Sequence, residues 1–329
     1  MKLSLSWIRD YVAIPENMDL KKLAYDLTMS TVEVEDVEYL ADRFEHMVVG
    51  VIEEIQAHPN ADKLRVCKVD IGGEVKEIVC GGINLREGMR VAVSCPGAIV
   101  RWHGEGEPVV IKNSKLRGVE SFGMICASDE IGLGDLFPAS REAEILDLSA
   151  FEVPAGTPLA QALDMDDVLL EIDNKSMTNR PDLWGHYGIA REIGALYDLP
   201  LTQIEPYAPD AQADFKVEIQ DSDRCPRYIG VEMSGVEVKA SPYRMQNRIW
   251  KAGMRPINAL VDITNYAMLA TGNPTHAFDA DHITDHITVR PAADGEVLTL
   301  LNGKELKLCE DDLVIADAKE PVALAGVMG

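Results

Sequence analysis

Apolar residues recur along the chain with two different periods, and the switches between them mark its parts. Behind Asp19, placed to cap a helix, Leu20, Leu23, Ala24 and Leu27 recur at helical spacing. Ser6 is placed to cap an earlier helix from Trp7 to Val12. The stretch VEVEDVEYL (Val32 to Leu40) then alternates apolar and acidic residues, the period of a half-exposed strand. From Val48 the pattern shortens to the runs VVGVIEEI, KLRVCKVDI, VKEIVCG, MRVAVSC, PVVIK and GMICA. Gly72-Gly73, Gly81-Gly82, Gly88, Pro96-Gly97 and Gly118 punctuate them. Strands so closely spaced, with no long helix among them, predict a small closed β-barrel.

The barrel pattern stops near Ser128. VLLEIDN (Val168 to Asn174) reads as a strand, and Leu183, Tyr187, Ile189, Ala190, Ile193 and Leu196 form a helical stripe that Pro181 is placed to start. The predicted division is a small discontinuous α+β domain of residues 1–40 and 151–205, interrupted by a barrel domain of residues 41–150. A linker from Pro206 to Ala213 leads to a third α+β part, residues 211–329. There DFKVEIQ and RYIGVEMSGV read as a strand pair. Ser241-Pro242 supplies a cap and first-turn proline for a helix ending at Gly253. A second helix runs from about Asn258 to Thr271 and stops at Gly272, with Pro274 beyond. ITVRPA, VLTLLNGKELKL with a type I′ Asn302-Gly303 turn, LVIAD and VALAG read as strands. The fold class is multidomain α+β. The chain ends directly after a strand, so the third part is expected to be incomplete.

Composition refines this picture. Apolar residues make up 47% and charged residues 26%, ordinary for a soluble globular protein, and no run of 18 apolar residues occurs. The N-terminus lacks the apolar core of a signal peptide, so a cytoplasmic protein with no membrane contact is expected. The cysteines (Cys67, Cys80, Cys95, Cys126, Cys225, Cys309) form no CxxC pair and read as small buried hydrophobes. His282 and His286, among Asp279, Asp281 and Asp285, superficially suggest a metal cluster, but their segment is a polar turn and no metal site is expected. Asp42, Glu45, Glu53 and Glu54, and likewise Asp164, Asp166 and Asp167, read as solvated acidic faces. A net charge of -24, from 55 acids against 31 bases, opposes a nucleic-acid partner unless a local basic patch serves it. Lys63, Arg65, Lys68, Lys112, Lys115 and Arg117 offer such a strip against phosphates; otherwise they are solvated surface charges. No Gly-rich phosphate loop is present, so nucleotide chemistry belongs elsewhere.

Whole segments are more specific than these patterns. HPNADKLRVCKVDIGG, VCGGINLREGMRVAVSCPGA and KNSKLRGVESFGMICASDEIGL closely resemble the tRNA-binding OB-type module of methionyl and phenylalanyl synthetase subunits and of free-standing tRNA-binding proteins. MKLSLSWIRDYV, LTMSTVEVEDVE and EIDNKSMTNRPDLWGHYGIAREIGAL look like the N-terminal region of the β subunit of bacterial phenylalanyl-tRNA synthetases. MRPINALVDITNYAMLATGNPTHAFDADHI and DLVIADAKEPVALAGVMG look like that subunit's editing domain, which hydrolyses tyrosine wrongly attached to phenylalanine tRNA. These flanks argue against a free-standing tRNA-binding protein. NKSMTNRPDLWGHYG is longer and more aromatic than the family's usual segment.

The resemblance implies a ligase that joins phenylalanine to its tRNA using ATP and magnesium, with no cofactor held by this part and the ATP chemistry on an α subunit. It implies phenylalanine tRNA and that α subunit as partners, in an α2β2 assembly. An N-terminal fragment of the subunit would contribute tRNA binding, assembly and editing; the alternative is a non-catalytic binding or assembly scaffold. An apolar phenylalanine pocket rejects an added hydroxyl poorly, so a second, hydrolytic site supplies the missing accuracy. The residues carried over to that site are Arg255, for the tRNA end; Thr264 and Asn265, for the ester or the water; Pro274 and His276; and Ala325, Gly326 and Gly329, for close backbone approach. A glutamate of the family's site lies beyond Gly329. His276 acts either as general base or by orienting substrate. The bland alternative is a loop histidine satisfied by Asp279.

Overall fold

The computed structural model describes residues 1–207 and 215–326. The chain opens with strand β1 (Lys2–Ser4), the four-residue helix α1 (Leu5–Ile8), helix α2 (Leu20–Ser30) and strand β2 (Val34–Tyr39). Asp19 caps α2, accepting from the Lys21 and Lys22 amides. Ser6, expected to cap the first helix, does not. Ser4 does so instead, accepting from the Trp7 amide at 3.1 Å, because the helix starts one residue after it and Ser6 already lies inside α1, its hydroxyl donating to Asp167 at 2.7 Å.

The barrel strands follow as β3 (Met47–Ala57), β4 (Arg65–Asp70), β5 (Val75–Cys80), β6 (Arg90–Ser94), β7 (Ile99–Val100), β8 (Val109–Val110), β9 (Ser114–Leu116), β10 (Val119–Ser121) and β11 (Met124–Ile125). Five of them form one sheet in the order β11-β6-β3-β4-β5. That sheet comes round on itself: the Phe122 amide, at the entry to β11, donates to the Glu77 carbonyl on β5 at 2.8 Å. Ile52, Cys67, Val69, Ile78, Val91, Val93 and Ile125 fill the interior, the apolar burial that drives closure. The pairs β7–β8 and β9–β10 are hairpins outside the five-stranded sheet.

Helix α3 (Leu159–Ala162), strand β12 (Val168–Ile172) and helix α4 (His186–Tyr197) come next. β12 lies antiparallel between β1 and β2, so the segments on either side of the barrel share one sheet. They also share one core, in which Leu3, Leu5, Ile8 and Leu27 meet Leu170, Ile172 and Ile189. Pro181 starts a separate 3-10 turn, and α4 begins only at His186. Gly188 lets α4 run hard against that turn: a Cβ there would lie 1.8 Å from the Asp182 carbonyl oxygen.

Beyond α4 lie β13 (Val217–Ile219), α5 (Tyr243–Lys251), α6 (Ala259–Thr271), β14 (Ile287–Pro291), β15 (Val297–Thr299), β16 (Glu305–Lys307), β17 (Leu313–Ala316) and β18 (Pro321–Leu324). The chain divides into two units, one of Met1–Thr202, Ser241–Ile257 and Leu269–Gly272, the other of the remainder. α5 thus belongs to the first unit. Pro242 rather than Ser241 occupies its cap position, and Ser241 is buried.

α5 carries charge into the first unit's interior. The side chains of Lys251 and Asp167 are each 2% exposed and 3.1 Å apart. Asp167 also accepts from the Ser4 hydroxyl at 2.6 Å and the Ser6 amide at 2.9 Å. Of the acids expected to be solvated, Asp164 and Asp166 are exposed but Asp167 is buried, because it joins β12 to α5 and to the α1 turn. Burial works against its charge; Lys251 and the two serines outweigh that and hold the carboxyl below its usual range.

His186 is buried beside them, stacked on Trp7 with ring centroids 4.0 Å apart. Its Nε2 accepts from the Ser4 amide and its Nδ1 donates to the Leu269 carbonyl, so the ring is neutral in a fixed tautomer. Burial pushes its pKa down to about 4. The unfolded chain therefore binds the extra proton first, and stability present above the ordinary histidine range is lost as the pH falls toward 4. Urea unfolding is expected to show a loss of roughly 3 kcal/mol between pH 6.5 and 4 that a His186→Gln protein lacks. Equal slopes in the two proteins would exclude this.

In the second unit β13, β14, β17 and β18 form a sheet in that order, with β13 parallel to β14. The expected pairing of DFKVEIQ with RYIGVEMSGV is not made. β13 takes β14 as its neighbour, and Ile229, Val231, Met233 and Val236 stay exposed outside any described strand. The β15–β16 turn is not type I′ either. Gly303 (φ +78°) alone takes positive φ, and a three-residue loop with a Leu300 to Gly303 turn closes the hairpin. Asn258 caps α6 through the Leu260 and Val261 amides, and Gly272 (φ +79°) follows it.

Candidate functional site

The basic strip is assembled from two loops. The first leaves β3 at His58-Pro59-Asn60 and enters β4, carrying Lys63 and Arg65; the second is the β9–β10 hairpin, carrying Lys115 and Arg117. His58 holds them together. It is buried, and its backbone amide donates to the Leu64 carbonyl, closing the first loop. The Asn60 amide donates to its Nδ1 at 3.1 Å, so Nδ1 bears no proton. Nε2 then carries the hydrogen and donates to the Leu116 carbonyl at 3.1 Å. Beside it the Asn60 side-chain amide donates to the Arg117 carbonyl at 2.9 Å. Arg117 (φ +45°) and Gly118 (φ +96°) make the two-residue turn, a conformation costly for arginine and held here by Asn60.

Lys63, Arg65, Lys112, Lys115 and Arg117 are exposed and make no ion pair among the described residues. Arg65 bends its guanidinium onto the Asp62 and Leu64 carbonyls. Lys68 differs: Glu54 lies 2.6 Å away, neutralises it and raises its pKa. Ranking by charge picks the cations but misses His58 and Asn60, whose signal was the His-Pro-Asn immediately ahead of the basic run.

The residues expected at the second site are distributed as follows. Thr264 and Asn265 are half-buried on α6, and the Thr264 hydroxyl donates to the Val261 carbonyl at 2.8 Å. Pro274 and His276 are exposed on the loop after Gly272. Asp279 accepts from His282 at 3.0 Å and from the Asp281 amide but makes no hydrogen bond to His276, which makes none among the described residues. Ala325 and Gly326 follow β18, with the Ala325 amide donating to Leu313 and Gly326 at φ +78°. Phe278 and Ala325 pack on one cluster, Ile287, Val289, Ile315 and Ala323, which draws the His276 loop and the end of β18 to a common core. Arg255 is exposed in the first unit, and Gly329 lies outside the described residues. His286 pairs with Asp285 rather than with His282.

Burial pushes the thiols of Cys67 up to about 11 and of Cys80 and Cys126 up to about 12, which removes them as nucleophiles at neutral pH. Cys309 is exposed and Cys95 and Cys225 are half-buried, so three of the six cysteines are not the buried hydrophobes expected. Among the described residues no helix is long and apolar enough to cross a membrane.

Residues 47–157 match the tRNA binding domain family and residues 224–329 the B3/4 domain family. Phenylalanine–tRNA ligase β subunits align along the whole chain: that of Pectobacterium atrosepticum is 42% identical over 334 residues and that of Oceanobacillus iheyensis 39% over 336. Each alignment covers 100% of this chain and 40% of the relative, so the chain spans about two fifths of these relatives' length. Among solved structures, a methionyl-tRNA synthetase-related protein of Pyrococcus horikoshii is 23% identical, with a TM-score of 0.24 over 34% of this chain and 87% of its own, too low to carry an argument. With both domains matched and identity running from end to end, the chain is similar along its whole length to phenylalanine–tRNA ligase β subunits.

Proposed function

We propose that this chain supplies the tRNA-contacting and ester-hydrolysing portion of a cytoplasmic phenylalanine–tRNA ligase. The complete enzyme would join phenylalanine to its tRNA with ATP and magnesium, the nucleotide chemistry residing on an α subunit that pairs with this one. The observation that carries the reading is the joining of two exposed basic loops through His58 and Asn60 on a barrel matching a tRNA-binding family. Residues 41–150 would make the RNA contact. Residues 1–40 and 151–205 would serve assembly, and residues 211–329 the removal of tyrosine from mischarged tRNA.

In that last part His276 stands exposed and unclaimed by Asp279, as a group that meets substrate must be before substrate arrives. Arg255 would engage the tRNA end, where a planar guanidinium suits phosphate. Thr264, Asn265 and the backbone at Ala325 and Gly326 would line the place of the aminoacyl ester. The second reading, a non-catalytic scaffold, draws on the Thr264 hydroxyl being spent on its own helix. One experiment on the intact subunit pair separates them: supply tyrosyl-tRNA for phenylalanine and follow ester loss. His276→Ala with Arg255→Ala is expected to slow deacylation at least about a hundredfold, the low end of what a positioned general acid or base contributes. Unchanged deacylation in that double variant would leave the scaffold.

A further inference from the structure

The β9–β10 hairpin is not a strand pair of the main barrel sheet, so something other than the sheet ladder must fix it. Its base is tied to β5, where the Val79 amide donates to the Ser121 hydroxyl at 3.0 Å and the Phe122 amide to the Glu77 carbonyl at 2.8 Å. Its tip, which carries Lys115 and Arg117, is tied by two side chains of the other loop, His58 to the Leu116 carbonyl and Asn60 to the Arg117 carbonyl. The same His58 closes, through its backbone amide, the loop that carries Lys63 and Arg65. From these bonds we infer that His58 and Asn60 are positioning residues for nucleic-acid contact. Neither need touch the RNA; they lock two basic loops into one rigid array whose cation spacing is set before RNA arrives.

Neither side chain brings a positive charge in this arrangement, since the ring is neutral in the tautomer the Asn60 amide imposes. Their contribution is preorganisation, the ordering cost already met in the free protein. Gly118 belongs to the same device. It holds φ +96° in the turn, and an added Cβ would lie in contact, at 3.4 Å, with Asn60 Nδ2, the side-chain nitrogen that donates to the Arg117 carbonyl.

This inference rests on the reading that the barrel contacts tRNA, and a double-mutant cycle keeps the two apart. In the intact subunit pair, phenylalanine-tRNA affinity is measured at fixed low salt for Asn60→Ala, His58→Ala, Lys115→Ala with Arg117→Ala, and their combinations. Removing Lys115 and Arg117 is expected to weaken binding about tenfold, and each clamp variant about fivefold, the scale of one lost hydrogen bond. Combined with the cation pair, the clamp variants should weaken it no further. His58→Gln, whose amide can still donate to Leu116, should recover most of the loss. Thermal melting of each variant checks folding, and Asn60→Ala, at an exposed residue, carries the test if His58→Ala does not fold. Unchanged affinity without Lys115 and Arg117 overturns the contact reading and the inference with it. A loss on removing them, with clamp effects that simply add, overturns the positioning role alone.

Discussion

Asp167→Ala is expected to lower the stability of this chain by about 3–5 kcal/mol, the usual consequence of removing one partner of a buried ion pair. Lys251 would keep its charge with 2% of its side chain exposed and lose its carboxylate 3.1 Å away. The Ser4 and Ser6 hydroxyls and the Ser6 amide would lose their acceptor as well. The penalty comes from the stranded charge rather than from the attraction itself. Replacing both partners, Asp167→Leu with Lys251→Met, should therefore recover most of the loss. Equilibrium urea unfolding of the three proteins decides the matter; a single variant within about 1 kcal/mol of the parent would refute the account. The sign with pH follows from the depressed carboxyl pKa. The contribution is complete above the ordinary carboxylate range and disappears as acid protonates Asp167 below it.

Gly188→Ala should be as damaging, for a reason with no electrostatic component. The new methyl would lie 1.8 Å from the Asp182 carbonyl oxygen, 2.8 Å from its carbon and 3.1 Å from the Leu183 Cα, all backbone atoms. No rotamer relieves such contacts, so α4 must move off the Pro181–Leu183 turn and open the core around Leu183 and Ile189. A loss above about 4 kcal/mol, or failure to fold, is expected, at the upper end of single-substitution effects. Alanine is otherwise the better helix residue by about 1 kcal/mol, so a protein melting at or above the parent's temperature would show that the close approach is not made.

These two sites show where sequence reading succeeds and where it stops. The helical stripe through Ile189, Ala190 and Ile193 was legible because burial on one face imposes a period, although Leu183, read as part of it, lies in the preceding turn. So was the barrel, because its strands are short, alternating and separated by glycines. Asp167 was not: beside Asp164 and Asp166 it looks like a third solvated acid, and only α5, some eighty residues later, supplies the lysine that buries it. RYIGVEMSGV has a strand's alternation, but pairing depends on a neighbour that local pattern cannot name, and β13 turned to β14 instead. At the basic strip, charge singled out the lysines and arginines. It passed over His58 and Asn60, whose roles lie in bonds to backbone carbonyls more than fifty residues away.

The meeting of β2 and β12 has an evolutionary consequence. Tyr39 faces Val168 across the sheet, and the Leu40 amide donates to the Asp167 carbonyl at 2.9 Å. The chain departs and returns at one point, so a tight turn there would restore an uninterrupted hairpin. The barrel is thus a cassette that could be gained, exchanged or lost through a single seam without redrawing the surrounding sheet.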